Sequence, residues 1–268
     1  YPLVQDFNIT VTNCTATDGR SDESRAVGFL VAYVQGYHAS NCNASGMVGG
    51  SQCAGFYVTG GLPGGRSSDI TLVNNTAERN GAEGAGRAAG FFIRNVSNDV
   101  VLKDNIANGN GTGLGLDYGA GFLVEANNGD PDAFIKNVDI DNCTAKGNGN
   151  GSENSGGIVI LNIIDEETPI PIENVAIEKS VSKFNNGYGV LIKGNVIGAS
   201  VNETEIYQNT LGGLNIVDNV DSESVFVSRN TAYLNNANNY VGVALANIVT
   251  GTASSLPANP GFLNVSIN

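Results

Sequence analysis

Asp139 and Asp141 are the residues of this chain whose types and spacing come nearest to a reaction. They alternate along one short apolar segment, so both carboxylates leave a strand on the same side, about 7 Å apart. Paired carboxylates flanking a bond can act as an acid and as a base or nucleophile. The repeat described below sets Lys103 on one side of Asp141 and Glu178 on the other. The separation suits retaining and inverting chemistry equally poorly, and the same residues describe a solvated charge ladder. Lys179, Glu203 and Arg229 stack in the same way and read as surface ion pairs. A second acidic group, Asp130, Asp132, Asp165 and Glu166, joins Glu125 in two loops that the repeat brings to one corner. Carboxylate and carbonyl oxygens there would suit Ca²⁺, although the spacing is neither that of an EF-hand nor that of a nonapeptide repeat. No other cofactor is expected.

The remaining reactive residues are sparse. His38 is the only histidine, so no Ser-His-Asp set can be assembled. The four cysteines, Cys14, Cys42, Cys53 and Cys143, include no C-x-x-C pair with histidines, which excludes the usual zinc spacing. Cys14 and Cys42 fall in consecutive repeats, where either a disulfide or a pair of stacked buried thiols is compatible with the spacing. Matches to N-x-S/T, such as Asn8, Asn95 and Asn202, follow from the abundance of Asn, Ser and Thr.

What positions all of these is a repeat. Short apolar strands open on glycine at Gly28-Phe29, Gly55-Phe56, Gly90-Phe91, Gly121-Phe122, Gly157-Ile158, Gly189-Val190, Gly213-Leu214 and Gly242-Val243. A period of this order marks a solenoid. A second segment recurs between them, for instance I-T-V-T-N-C-T-A from Ile9, I-T-L-V-N-N-T-A from Ile70 and V-D-I-D-N-C-T-A from Val138. Stacking the copies yields an inward column of Cys14, Cys42, Asn75, Asn105, Cys143, Ser180, Thr204 and Asn230. The column before it, from Asn13 to Arg229, includes long charged side chains and therefore faces water. Asn80, Asn110, Asn148, Asn185, Asn209 and Asn235 close each copy, where the left-handed conformation of a corner is expected.

This pattern is that of an all-β chain, a single right-handed parallel β-helix of about eight to nine coils spanning residues 1–268. The eight residues before Ile9 make a thin N-terminal cap, so a preceding domain or a partner is expected to cover that end. The copies (I/V)-x-(I/L)-x-x-(N/C)-x-A-x-x-N-G and G-(F/I/V)-x-(V/I) resemble the right-handed β-helix repeat superfamily of the carbohydrate-binding and sugar-hydrolase type. That resemblance implies a polysaccharide-degrading hydrolase or lyase as one reading. Polygalacturonases in the superfamily use paired Asp, a His and a basic pair, and the chain lacks that set. Its nine tyrosines could supply stacking platforms for sugars.

The residues between each inward pair of the Gly-Phe strands are expected to point outward. Leu30, Tyr57, Phe92, Leu123, Val159 and Leu191 are the six large apolar residues of an eight-coil stripe there, roughly 35–40 Å long at ~4.8 Å per coil. An exposed patch of that size marks an interface. Self-association about an axis parallel to the solenoid is the preferred reading, with cover by a loop or terminal segment of the same chain as the alternative, and the resemblance to viral and phage β-helices favours a homotrimer. The expectation is thus a non-catalytic structural or attachment protein of a virion, fibre or cell surface, binding a glycan or another surface protein. A net charge of −13 opposes nucleic-acid binding. No apolar run reaches the ~18 residues of a membrane helix.

Overall fold

The computed structural model describes residues 6–60, 65–83, 86–95, 97–127, 134–163, 171–217, 225–236, 238–242, 248–251 and 264–267. Three sheets run its length. Sheet 1 begins at Asp6–Thr12 and ends at Phe226–Ser228, sheet 2 begins at Thr15–Thr17, and sheet 3 runs from Arg25–Ala32 to Tyr240–Val241. Each strand pairs in parallel with the equivalent strand one coil away, in sequence order through sheets 1 and 3. The chain is a right-handed parallel β-helix.

The expected register holds over most of the chain. Phe56 pairs with Phe91, Phe91 with Phe122, and Phe122 with Ile158. The four phenylalanine rings, Phe29 to Phe122, stack with centroids 4.8, 4.9 and 4.9 Å apart and planes within 9° of parallel. Each buried ring contributes about 1.5–3 kcal/mol. The last copy departs from expectation. Leu214 pairs with Tyr240, not Val243, so the final repeat is displaced by three residues. Gly242 has φ +76° beside Ile216 and serves as a turn, not as the strand opener.

The glycine of each Gly-Phe pair has a specific steric cause. Sheet 3 bends there and approaches sheet 2, whose facing residues are Ala44, Ala77 and Ala107. A Cβ on Gly121 would lie 2.7 Å from both Asn148 Nδ2 and Gly157 O, inside any real contact distance. The small alanine column and the missing Cβ are two halves of one pinch in the coil.

Buried amides stitch the coils together beside that pinch. Nδ2 of Asn110 donates to Oδ1 of Asn148 at 3.1 Å and to the Ala77 carbonyl at 2.9 Å. Asn148 repeats this toward Asn185 and Ala107, and Asn185 toward Asn209 and Ala145. Each Oδ1 also accepts a backbone N–H from the preceding coil, as Asn148 does from Asn110 at 2.9 Å. The amide capacity is filled on both sides, which is what lets these residues be fully buried. This corrects one expectation. The left-handed residue is the one before each amide, Arg79, Gly109, Gly147, Phe184, Gln208 and Leu234, while the asparagine points inward.

The Cys/Asn/Ser/Thr column behaves as the second ladder. Asn75 and Asn105 donate to the carbonyls of Ala39 and Leu72, and the Cys143 thiol donates to Leu102 O at 3.3 Å. Thiol, hydroxyl and amide thus do the same work. All four cysteines are free. The water-facing column from Asn13 to Arg229 is left-handed throughout, with φ between 47° and 55°. A further left-handed column, Asn8, Asp69, Asp99, Asn137 and Asn174 with Gly36 and Gly198, bends the strands of sheet 1.

Replacing Asn148 by Ala strands two buried N–H donors of Asn110. Urea unfolding of Asn148→Ala is expected to show a loss of at least about 2 kcal/mol, at about 1–3 kcal/mol per orphaned donor.

Candidate functional site

The outward stripe of sheet 3 is not a surface. Tyr57, Phe92, Leu123, Val159 and Leu191 are buried within a single copy of the chain, and only Leu30, at 60% exposure, is open to solvent. Their side chains do leave the solenoid, since they fall outside its main core and pack instead with Ala54, Ala89, Ala120, Tyr118 and Leu161. Pointing out of the coil and pointing into water are different things, and here the outer face is a second core. A face already covered offers no apolar area to another copy, so the interface expected at these residues, and a homotrimer built through it, lose their basis.

The same outer face holds a charge network that the repeat pattern did not single out. Glu125 is fully buried. Its Oε1 lies 2.9 Å from Arg87 Nη1 and 3.8 Å from Arg94 Nε, and its Oε2 accepts the Tyr118 hydroxyl at 2.7 Å. Arg94 Nη1 reaches the Tyr57 hydroxyl at 3.5 Å, and the Arg87 guanidinium lies over the Tyr118 ring at 5.6 Å. Burial, and then the neighbouring Glu125 carboxylate, push the Tyr118 phenol far above its ordinary range. Breaking such a buried pair by removing one partner is strongly destabilising. The signal was present in the sequence, because Arg94 and Glu125 are register partners. Glu125, at the edge of the acidic corner, is thus engaged by Arg87, Arg94 and Tyr118. The other residues of that corner, Asp130, Asp132, Asp165 and Glu166, lie outside the described residues.

The outer face of sheet 1 is where charged groups meet solvent. Asp139 and Asp141 project side by side, and Asp141 pairs in register with Lys103 and Glu178. Lys103 Nζ lies 3.4 Å and Lys179 Nζ 3.8 Å from the Asp141 carboxylate. Partial burial, then Asp141 and Glu178, raise the Asp139 carboxyl above its usual value, against the opposing Lys103 and Lys179. The three residues expected from the sequence are therefore brought together, with Asp141 tied to two lysines.

Along the axis the face continues into a groove of about 290 Å³ lined by Glu178, Lys179, Asn202, Glu203, Phe226, Ser228 and Arg229. Arg229 Nη1 bonds Glu203 Oε1 at 2.6 Å. Phe226 stands 59% exposed at the head of the outward column Asp139, Ala176, Ser200, Phe226. Ala176 and Ser200 are small, so a trough about 14 Å long, three coil spacings of ~4.8 Å, separates the carboxyl from the ring. Sequence reasoning missed Phe226, whose outward position in a weak repeat copy was its only signal.

The tyrosines of sheet 2 are a different matter. Tyr207 and Tyr233 stack on each other at 4.8 Å with planes 6° apart. Lys183 and Phe184 approach Tyr207 as well, at 5.5 Å each. The ring faces are turned along the axis toward one another, so this pair offers edges, not a platform, to a sugar.

Two outcomes check this assignment of faces. Leu123→Ala is expected to cost about 2–5 kcal/mol of stability while leaving the elution volume in size-exclusion chromatography unchanged. Asp139 has a folded-state pKa above its unfolded value, so folding takes up protons between the two. Stability contributed by this group is present at low pH and is lost as pH rises from the ordinary carboxyl value through the raised one. Asp139→Asn is therefore expected to be more stable than the unsubstituted chain at neutral pH, and a thermal unfolding series across pH reads the difference.

Residues 3–129 match the family model described as the right handed beta helix region. No curated protein matches the chain. Among solved structures, the Streptococcus pneumoniae surface protein and adhesin PfbA aligns with 98% of this chain and 67% of its own, at 11% identity and a TM-score of 0.44. QnrB1, a plasmid-mediated fluoroquinolone resistance protein, aligns with 88% and 86% respectively, at 9% identity and a TM-score of 0.20. Likenesses this remote carry no argument about function. The family match covers just under half of the chain, and the parallel coil-by-coil register carries the same right-handed β-helix fold through the remaining described strands.

Proposed function

We propose that this chain is a non-catalytic attachment protein that holds an extended glycan along the outer face of sheet 1. One observation carries the reading: an exposed aromatic ring, Phe226, heads a trough floored by Ala176 and Ser200 and walled by the polar groups of the groove. A sugar ring has an apolar face that packs on an aromatic ring and hydroxyls that bond to carboxylates, amides and guanidinium groups. Asn202, Glu203 and Arg229 supply those partners. The rigid interior ladders suit the role, because a face held by stacked coils keeps its groups at a fixed spacing. Such a protein belongs on the outside of a cell or particle.

A second reading rests on Asp139. A carboxyl whose pKa is raised by partial burial and by two neighbouring carboxylates is a candidate general acid, and Asp141 or Glu178 would then be its partner. This is the polysaccharide hydrolase or lyase of the sequence expectation.

One set of measurements separates the two. A panel of neutral and acidic polysaccharides is incubated with the full chain, and both binding and product release are followed. Attachment is expected to give binding without reducing ends or unsaturated products. Phe226→Ala is expected to weaken that binding at least tenfold, about 1.4 kcal/mol, in calorimetry. Product release that disappears in Asp139→Asn would instead establish the enzyme. Binding that survives Phe226→Ala undiminished would remove the groove from the account.

A further inference from the structure

The inward polar ladder ends in two stacked thiols. Strand residues on either side of them are in register, Thr12 with Ser40 and Thr15 with Asn43, so Cys14 and Cys42 are neighbours in adjacent coils. The Cys14 backbone N–H points at Cys42 Sγ from 3.5 Å. A one-coil spacing of ~4.8 Å lies within the Cα separation of about 4.4–6.8 Å that a disulfide spans. The two thiols differ in access: Cys14 is exposed, and Cys42 is buried beneath it. Deeper in the ladder the analogous positions are amides, Asn75 and Asn105, each bonded on both sides. The Cys14 thiol bonds only its own coil, at Thr12 O.

The core residues of the first described coil are less buried than those of the second. Ile9, Val11 and Phe29 are only partly buried, whereas their counterparts one coil on, Tyr37, Ala39 and Phe56, are buried.

We propose that Cys14 and Cys42 are a redox-operated staple that joins the first described coil to the second in an oxidising compartment. The exposed Cys14 thiol attacks oxidised glutathione, forming a mixed disulfide and releasing one glutathione thiol. Cys42 then attacks the Cys14 sulfur, forming the intrachain disulfide and releasing the second. Two protein thiols are oxidised, one glutathione disulfide is reduced to two thiols, and the two protons move to the released glutathiones. Cys53 and Cys143 lie buried apart from this pair, Cys53 with Ala88 and Leu116, Cys143 in the main core. They stay reduced.

The test uses the full chain, incubated with oxidised glutathione or with dithiothreitol, then blocked with a thiol reagent and mapped by mass spectrometry without reduction. A cross-linked peptide containing Cys14 and Cys42 is expected in the oxidised sample, with Cys53 and Cys143 unmodified until denaturation. Amide exchange over residues 9–17 is expected to slow at least tenfold on oxidation and to be unchanged by oxidation in Cys42→Ser. In that variant Cys14 is expected to stop at the glutathione adduct, which reports attack at Cys14 even if the first coil is loosened. A wild-type chain that stops at the same adduct, or that forms a Cys14–Cys14 dimer, overturns the proposal. So does a cross-link that leaves exchange in the first coil unchanged.

Discussion

Every coil of this protein carries inward polar groups that its own strands cannot satisfy. A buried amide with no partner costs free energy comparable to a lost hydrogen bond, and the apolar interior provides none. The partners of these buried amides lie one coil away, in the same groups and in the backbone carbonyls of sheet 2. Asn80, Asn110, Asn148, Asn185 and Asn209 answer this by bonding head to tail, each reaching the next at 2.8–3.1 Å. The amide bonds fit the strand spacing that the backbone ladders set and reinforce the parallel register of the coils. Loops are admitted only at corners.

The rest of the architecture follows from that spacing. With coils held a strand separation apart, like side chains fall on like, and the phenylalanines of sheet 3 become a column of nearly parallel rings. The glycines beside them exist because sheet 2 must come close enough for the amides to reach its carbonyls. The left-handed corners exist because the chain must turn between sheets within single residues. Asparagine and aspartate fill most of the corner between sheets 1 and 2, where their short side chains link neighbouring coils, as Asn142 does to Asp104 at 2.6 Å. In the last coils Lys179, Glu203 and Arg229 take over that corner, and the exposed groove opens among them.

Burial and exposure are thereby assigned to different faces. Sheet 3 carries a second core outside the solenoid, with the Glu125 network buried in it. Sheet 1 carries the solvated charges and the exposed phenylalanine. The carboxylates that looked most like chemistry are on the open face, yet Asp141 is engaged by two lysines. The most exposed ring of that face, Phe226, is an aromatic residue at the head of a run of smaller side chains.

Periodicity is a local property, and the amino-acid sequence determined what local periodicity can: the parallel coil, the inward phenylalanine column, the two polar columns and the adjacency of Asp139, Asp141 and Glu178. It also placed Leu30, Tyr57, Phe92, Leu123, Val159 and Leu191 on the outer side of their strands. Alternation tells inside from outside of a coil, however, and nothing in it says whether the outside is wet. Only the tertiary structure decided that the stripe is buried beyond Leu30 and that Glu125, already set beside Arg94 by the register, is buried with Arg87 and Tyr118 as further partners. Only there, too, does the final repeat slip three residues to Tyr240. Each of these depends on contacts between distant parts of the chain, and neither repeat spacing nor side-chain type encodes which face those parts cover.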